Sequence, residues 1–331
     1  MLFRSGEVRD KLLKHFGVAT DVEIWRGLHL DKIVGVGPKY IGPPARDLPG
    51  GLKLMPPWWT TQKEIHYGTG SYWETVDWPL KNATTIAELE QFQWPSADWY
   101  DFSEIETQCD AWPDNAIEGC YVAPFYWHNH IRGLEQSCMD LIAEPELTEY
   151  ALGRITQFCW EYATRCFEAG KGKIHLTQVT DDYGSQHGLM ISEEAYLRWF
   201  KPIQKKFIDL AHSAGTLVMH HDDGAIRPLI PHFVELGVDI LNPIQHVCPG
   251  MEMAGLKRDF GAKLCFHGGV DNQDVLPHGS VADVQREVRD CLRTLGAGGG
   301  YILAPCHNIQ PVSPVENIVA MYETAYAEGK Y

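Results

Sequence analysis

The chain has 331 residues, 44% of them hydrophobic, and a formal net charge of −16 at pH 7. That length is large for an ordinary domain but normal for a single α/β barrel, with enough apolar residues for a sizeable core. So acidic a chain is repelled by nucleic acid and by anionic membranes, and no apolar run approaches membrane-spanning length, so the expected partners are small molecules or other proteins.

The chain opens with Met1-Leu2-Phe3-Arg4-Ser5-Gly6-Glu7, which has neither the apolar block nor the small-residue cleavage site of a signal peptide. The expected location is the cytoplasm. Nine cysteines without a CxxC pair fit reduced thiols better than a disulfide framework. Residues 35–60 are dense in Pro and Gly and read as irregular structure with at most one short hairpin. Residues 1–115 are therefore expected to form an N-terminal extension that caps a barrel mouth, with residues 116–331 as the main part of the barrel.

From residue 116 onward, short apolar runs alternate with amphipathic stretches, the pattern of strand and helix units around a parallel sheet. Candidate strands are 119–123, 174–180, 216–221, 240–244, 263–266 and 300–304. Between them, Ser192-Glu193-Glu194-Ala195 opens a helix with a capping serine, and 280–295 carries one apolar face. The expected fold is an α/β TIM (β/α)8 barrel with an irregular N-terminal cap, whose active residues gather at the C-terminal ends of the strands.

Several strand ends carry chemistry. Tyr121 to His130 is aromatic-rich, and Tyr126, Trp127 and His128 are candidates to bind a flat ring, with core packing as the equal alternative. Asp181 and Asp182 follow the strand at 174–180 and are candidate catalytic carboxylates, or helix caps. Gln186, Gln245, Asn308 and His267 also fall at strand ends, where they could meet substrate, support a metal ligand or, for His267, take a catalytic part. The sharpest feature is divided: Met219-His220-His221-Asp222-Asp223-Gly224 and, further on, Ala304-Pro305-Cys306-His307-Asn308. Imidazole, carboxylate and thiolate from two strand ends make a zinc-type ligand set that leaves a position open. Strand alternation sends His220 and His221 to opposite faces and favours His221 as the partner of Asp223, with His220, Cys265 and His267 as competing ligands.

The chain resembles the uroporphyrinogen-decarboxylase-like superfamily, and within it the cobalamin-linked methyltransferases. The resemblance spans roughly residues 80 to 325. It is carried by Arg132-Gly133-Leu134-Glu135, Asp181-Asp182-Tyr183-Gly184-Ser185-Gln186, the His221 segment, Leu241-Asn242-Pro243-Ile244-Gln245, Phe266-His267-Gly268-Gly269-Val270-Asp271 and Gly299-Gly300-Tyr301-Ile302-Leu303-Ala304-Pro305-Cys306. It implies a TIM barrel and zinc held by His221, Asp223 and Cys306, with Asp223 standing where the family's methyltransferases have a cysteine. An aspartate donates less charge to zinc than a thiolate, which suits an ether oxygen better than a thiol. The implied activity is O-demethylation of a methoxylated aromatic donor, with the methyl group passing to the cobalt of a corrinoid (cobalamin). The alternatives are a carboxy-lyase of the decarboxylase branch and a methylcobalamin:thiol methyltransferase. No Asp-x-His-x-x-Gly motif is present to bind cobalamin, so the corrinoid is expected on a partner protein; a homodimer is the candidate assembly.

Overall fold

The computed structural model describes residues 6–67 and 70–330, so the first five residues of the chain start discussed above lie outside the described part. Seven strands run through the parallel sheet in the order of their sequence. They are β1 (Val34–Val36), β2 (Ile117–Val122), β3 (Leu176–Val179), β4 (Leu217–His221), β5 (Ile240–Asn242), β6 (Cys265–Val270) and β7 (Tyr301–Pro305). Sequential order without a reversal is the arrangement of an α/β TIM barrel, and six of the seven coincide with the expected strands to within a few residues. No helix among the described residues is long and apolar enough to cross a membrane.

The contacts divide the chain into two compact units. One contains residues 35–182 and 190–218, including β2, β3 and the start of β4. Its longest helix, Pro145–Gly170, buries Leu147, Ala151, Leu152, Ile155, Phe158, Cys159 and Cys166, the 3–4 spacing of a single core-facing stripe. This helix stops where Lys171 takes a left-handed conformation at φ 49° and Gly172 follows at φ 78°. The same unit holds a four-stranded antiparallel sheet, Arg46–Leu48, Leu52–Met55, Thr60–Tyr67 and Gly70–Asp77, in a region expected to be mostly irregular. In Gly70–Asp77 the large apolar residues Tyr72, Trp73 and Val76 are all exposed, so the strand shows none of the apolar and polar contrast that normally reveals one.

The aromatic run after β2 is helical rather than a loop: Pro124–Arg132 forms a helix with proline in its first turn. Its cap comes from far away in sequence. Asp181, only 2% exposed, accepts from the amides of Phe125 at 3.1 Å and Tyr126 at 2.8 Å. The carboxylate thereby satisfies two otherwise orphaned donors at the positive end of the helix. At the other end of the helix, Arg132 is 3% exposed and Asp140 0% in their side chains, and they pair at 2.6 Å and 3.1 Å. The Arg132 Nη1 donates to the carbonyls of Leu80 and Ala83, which ties the segment 80–83 to the helix pair 124–143.

His128 points into the same interior. It is fully buried, 2.5 Å from the Ser137 hydroxyl, and desolvation holds its pKa down to about 4, with Asp140 acting in the opposite direction and Arg132 in the same one. The unfolded imidazole takes up a proton near its ordinary value of 6.5, whereas the folded one resists until about 4. The unfolded chain therefore binds more protons across that window, and folding stability falls as pH drops through it, by up to about 3 kcal/mol from this group. Denaturant melts of the wild type and His128→Asn between those two pH values should show a shallower loss in the variant. Identical pH slopes would show that His128 is not the titrating group.

The second unit comprises the described residues before Gly35, the loop 183–189 and everything from Met219 on, and so contains β5, β6 and β7. Strand β4 pairs with β5 in the register Met219↔Ile240, His220↔Leu241 and His221↔Asn242. β5 pairs with β6 through Ile240↔Cys265 and Leu241↔Phe266. The helix Val281–Thr294 buries Val284, Val288 and Cys291 on one face and is fixed by a capping box at Ser280 and Asp283.

Candidate metal centre

The end of β4 separates two histidines as pleating requires. His220 is 1% exposed and lies against Phe233, with ring centroids 4.0 Å apart, while its Nε2 sits 3.7 Å from Asp222. His221 turns the other way, 25% exposed, with Nε2 3.7 Å from Asp223 Oδ2. From the segment after β7, His307 Nε2 comes within 3.8 Å of the same Asp223 oxygen. One donor atom from each of His221, Asp223 and His307 lies within 4.8 Å of the others. Tetrahedral zinc with bonds of about 2.0–2.1 Å separates its ligands by roughly 3.3 Å, so this cluster closes around a cation with small side-chain movements. Two imidazoles and a carboxylate are a chemically suitable zinc set with a fourth position open.

The charges suit the same reading. Burial pushes the Asp223 carboxyl up, but the neighbouring His221 and His307 outweigh it, leaving the group below the usual aspartate value and ionised. Cys306, the third ligand implied by the resemblance, is placed differently: it is 3% exposed and its Sγ lies 3.1 Å from the Ile244 carbonyl oxygen. Burial holds that thiol well above its ordinary pKa, so it is a neutral donor to the carbonyl. The cluster thus contains His307 where Cys306 was expected, one residue further along. Nothing in the sequence distinguishes His307 from its neighbour as a ligand; the turn after β7 decides which side chain approaches His221 and Asp223.

A tight backbone approach supports the strand end. Asp222, fully buried, accepts from the amides of Tyr183 at 2.8 Å and Gly184 at 3.0 Å. Ala225 donates back to the Ser185 carbonyl at 2.8 Å. A Cβ on Gly184 would overlap the Asp223 carbonyl, and Gly224, at φ 87°, faces the Ser185 backbone equally closely. Only glycine serves at either position. Gln245 joins this framework, its Oε1 accepting from the Gly224 amide at 2.7 Å.

The other expected site residues are dispersed. His267 lies beside Asn242, with Asn242 Nδ2 2.6 Å from its Nδ1, and desolvation lowers its pKa to about 4. Cys265 stands two residues earlier on β6, at the opposite end of that strand from Val270. Gln186 is exposed in the loop 183–189, and the Asn308 carbonyl accepts from Gln310. In the other unit, Tyr126 is 38% exposed and its ring packs edge-on to Trp127, His128 is enclosed, Asp181 caps the helix and Asp182 is half-buried.

Residues 102–327 match the model of the uroporphyrinogen decarboxylase (URO-D) family, and the chain belongs to that family. It is 24% identical over 186 residues to a uroporphyrinogen decarboxylase of Geotalea daltonii, covering 56% of this chain and 50% of that protein. It is 23% identical over 202 residues to a methylated-thiol–coenzyme M methyltransferase of Methanosarcina mazei, covering 60% and 49% respectively. The chain therefore spans about half the length of the curated relatives it matches. A solved methyltransferase structure from Methanosarcina mazei superposes with a TM-score of 0.63 at 18% identity, over 98% of this chain and 92% of that one, and shares its fold.

Proposed function

We propose that the chain is a zinc-dependent methyltransferase that moves a methyl group from an O-methyl donor, a methoxylated aromatic, to the cobalt of a corrinoid carried by a partner protein. The observation that carries this reading is the convergence of His221, Asp223 and His307 donors beyond the ends of parallel strands in a chain of this family. His221 and Asp223 would hold the metal from the end of β4, and His307 would close the set from the segment after β7. When bound, zinc would supply Lewis acidity to the ether oxygen and stabilise the phenolate left when the O–CH3 bond breaks and the methyl carbon passes to the partner's reduced cobalt. Asp223 donates less charge than a thiolate and so favours an oxygen donor, and its depressed pKa keeps it ionised at neutral pH. Cys306, with its Sγ 3.1 Å from the Ile244 carbonyl oxygen, is left out of this set.

Purified protein mixed with chemically reduced cobalamin and a panel of aryl methyl ethers, methylamines, methanol and methylated thiols tests this directly. Methylcobalamin absorbance should grow with an aryl methyl ether. Growth with methylated thiols alone would favour the activity named for the Methanosarcina relative, and none with any methyl donor would remove the methyltransferase reading.

A further inference from the structure

We propose that Asn242 is the positioning residue that fixes His221 in the tautomer able to bind a metal. The inference rests on the metal reading above. Its basis is the asymmetry of a carboxamide, which has one end that only accepts and one that only donates.

The Asn242 Oδ1 lies 2.7 Å from His221 Nδ1. An amide oxygen accepts, so in the neutral imidazole, the form that can take a cation, the His221 proton resides on Nδ1 and the lone pair on Nε2, the atom that faces Asp223. The Asn242 Nδ2 lies 2.6 Å from His267 Nδ1, and because Nδ2 only donates, that His267 nitrogen is bare and its proton sits on Nε2. Desolvation keeps His267 neutral, as an acceptor must be. The reverse arrangement would place a proton on His221 Nε2, closing the position to a cation.

The sheet makes the triad unavoidable. His221 and Asn242 are register partners on β4 and β5. The β5 and β6 pairing reaches Leu241↔Phe266, so the next step brings Asn242 level with His267. Three neighbouring parallel strands about 4.8 Å apart thus present three polar side chains at one height, within hydrogen-bond reach. A partner on the far nitrogen of a ligand histidine commonly sets both its tautomer and its basicity.

Two measurements test the assignment. In metal-free wild-type protein, at a pH where His221 is neutral, long-range 1H–15N correlation spectra should show His221 with a protonated Nδ1 and a bare Nε2. In chelator competition, Asn242→Leu should bind zinc ~10- to 100-fold more weakly, the range found when such partners are removed. Asn242→Asp, which keeps an acceptor against His221, should retain the wild-type tautomer and at least wild-type affinity. A wild-type His221 protonated on Nε2, or an Asn242→Leu protein with unchanged zinc affinity, overturns the proposal. If Asn242→Leu does not fold, the wild-type spectrum and Asn242→Asp decide it. Wild-type protein that takes up no zinc defeats the metal reading instead, and the tautomer spectrum still tests Asn242.

Discussion

Replacing His221 by alanine is expected to strip the purified protein of stoichiometric zinc and abolish methyl transfer while leaving its circular dichroism unchanged. The side chain is 25% exposed and projects from the end of β4, so its loss removes a ligand without opening a cavity in the core. Asp223→Ala should behave alike. The informative comparison is in the segment after β7, where His307→Ala should lose the metal and Cys306→Ser should keep it. His307 Nε2 is already 3.8 Å from the Asp223 carboxylate, whereas the Cys306 thiol is buried, protonated and turned to the Ile244 carbonyl. Metal analysis by plasma mass spectrometry on the four variants gives the answer. Zinc lost from Cys306→Ser and retained by His307→Ala would make the thiolate the third ligand.

Asp140→Ala should be the most destabilising single change in the other unit. It leaves the Arg132 guanidinium, 3% exposed, with only the Leu80 and Ala83 carbonyls to meet a full positive charge. Breaking one side of a buried pair costs about 3–5 kcal/mol, mostly from the stranded charge rather than the lost attraction. The double variant Arg132→Met with Asp140→Leu removes both charges and should recover most of that loss. Urea unfolding of the two variants separates the cases. An Asp140→Ala protein within about 1 kcal/mol of wild type would mean that the arginine finds water or another acceptor.

The parallel sheet was legible because strands β2 to β7 are short, apolar and bounded by turn residues, and the pleat separated His220 from His221 without any structure. The antiparallel strands at 46–77 were largely hidden, since both faces of the last are partly open and polar and apolar side chains do not alternate cleanly. The helix Pro124–Arg132 was hidden for a different reason: Ala123 is no cap, and the carboxylate that caps the helix is Asp181, contributed across the sheet from the end of β3. His307 and Asn242 share a further difficulty. Their importance comes from which strands are neighbours and in what register, and a linear pattern carries neither.

The backbone contact between Gly184 and the strand end at Asp223 also bears on how the chain can diverge. A residue inserted between 183 and 189, or any β-carbon at 184 or 224, would wedge the two segments apart and drag the carboxylate away from its imidazole neighbours. The hairpin formed by Thr60–Tyr67 and Gly70–Asp77 is more open, with Tyr72, Trp73 and Val76 all exposed. Length differences among related chains should therefore accumulate in that hairpin, while the 183–189 crossing keeps its residue count as evolutionary distance grows.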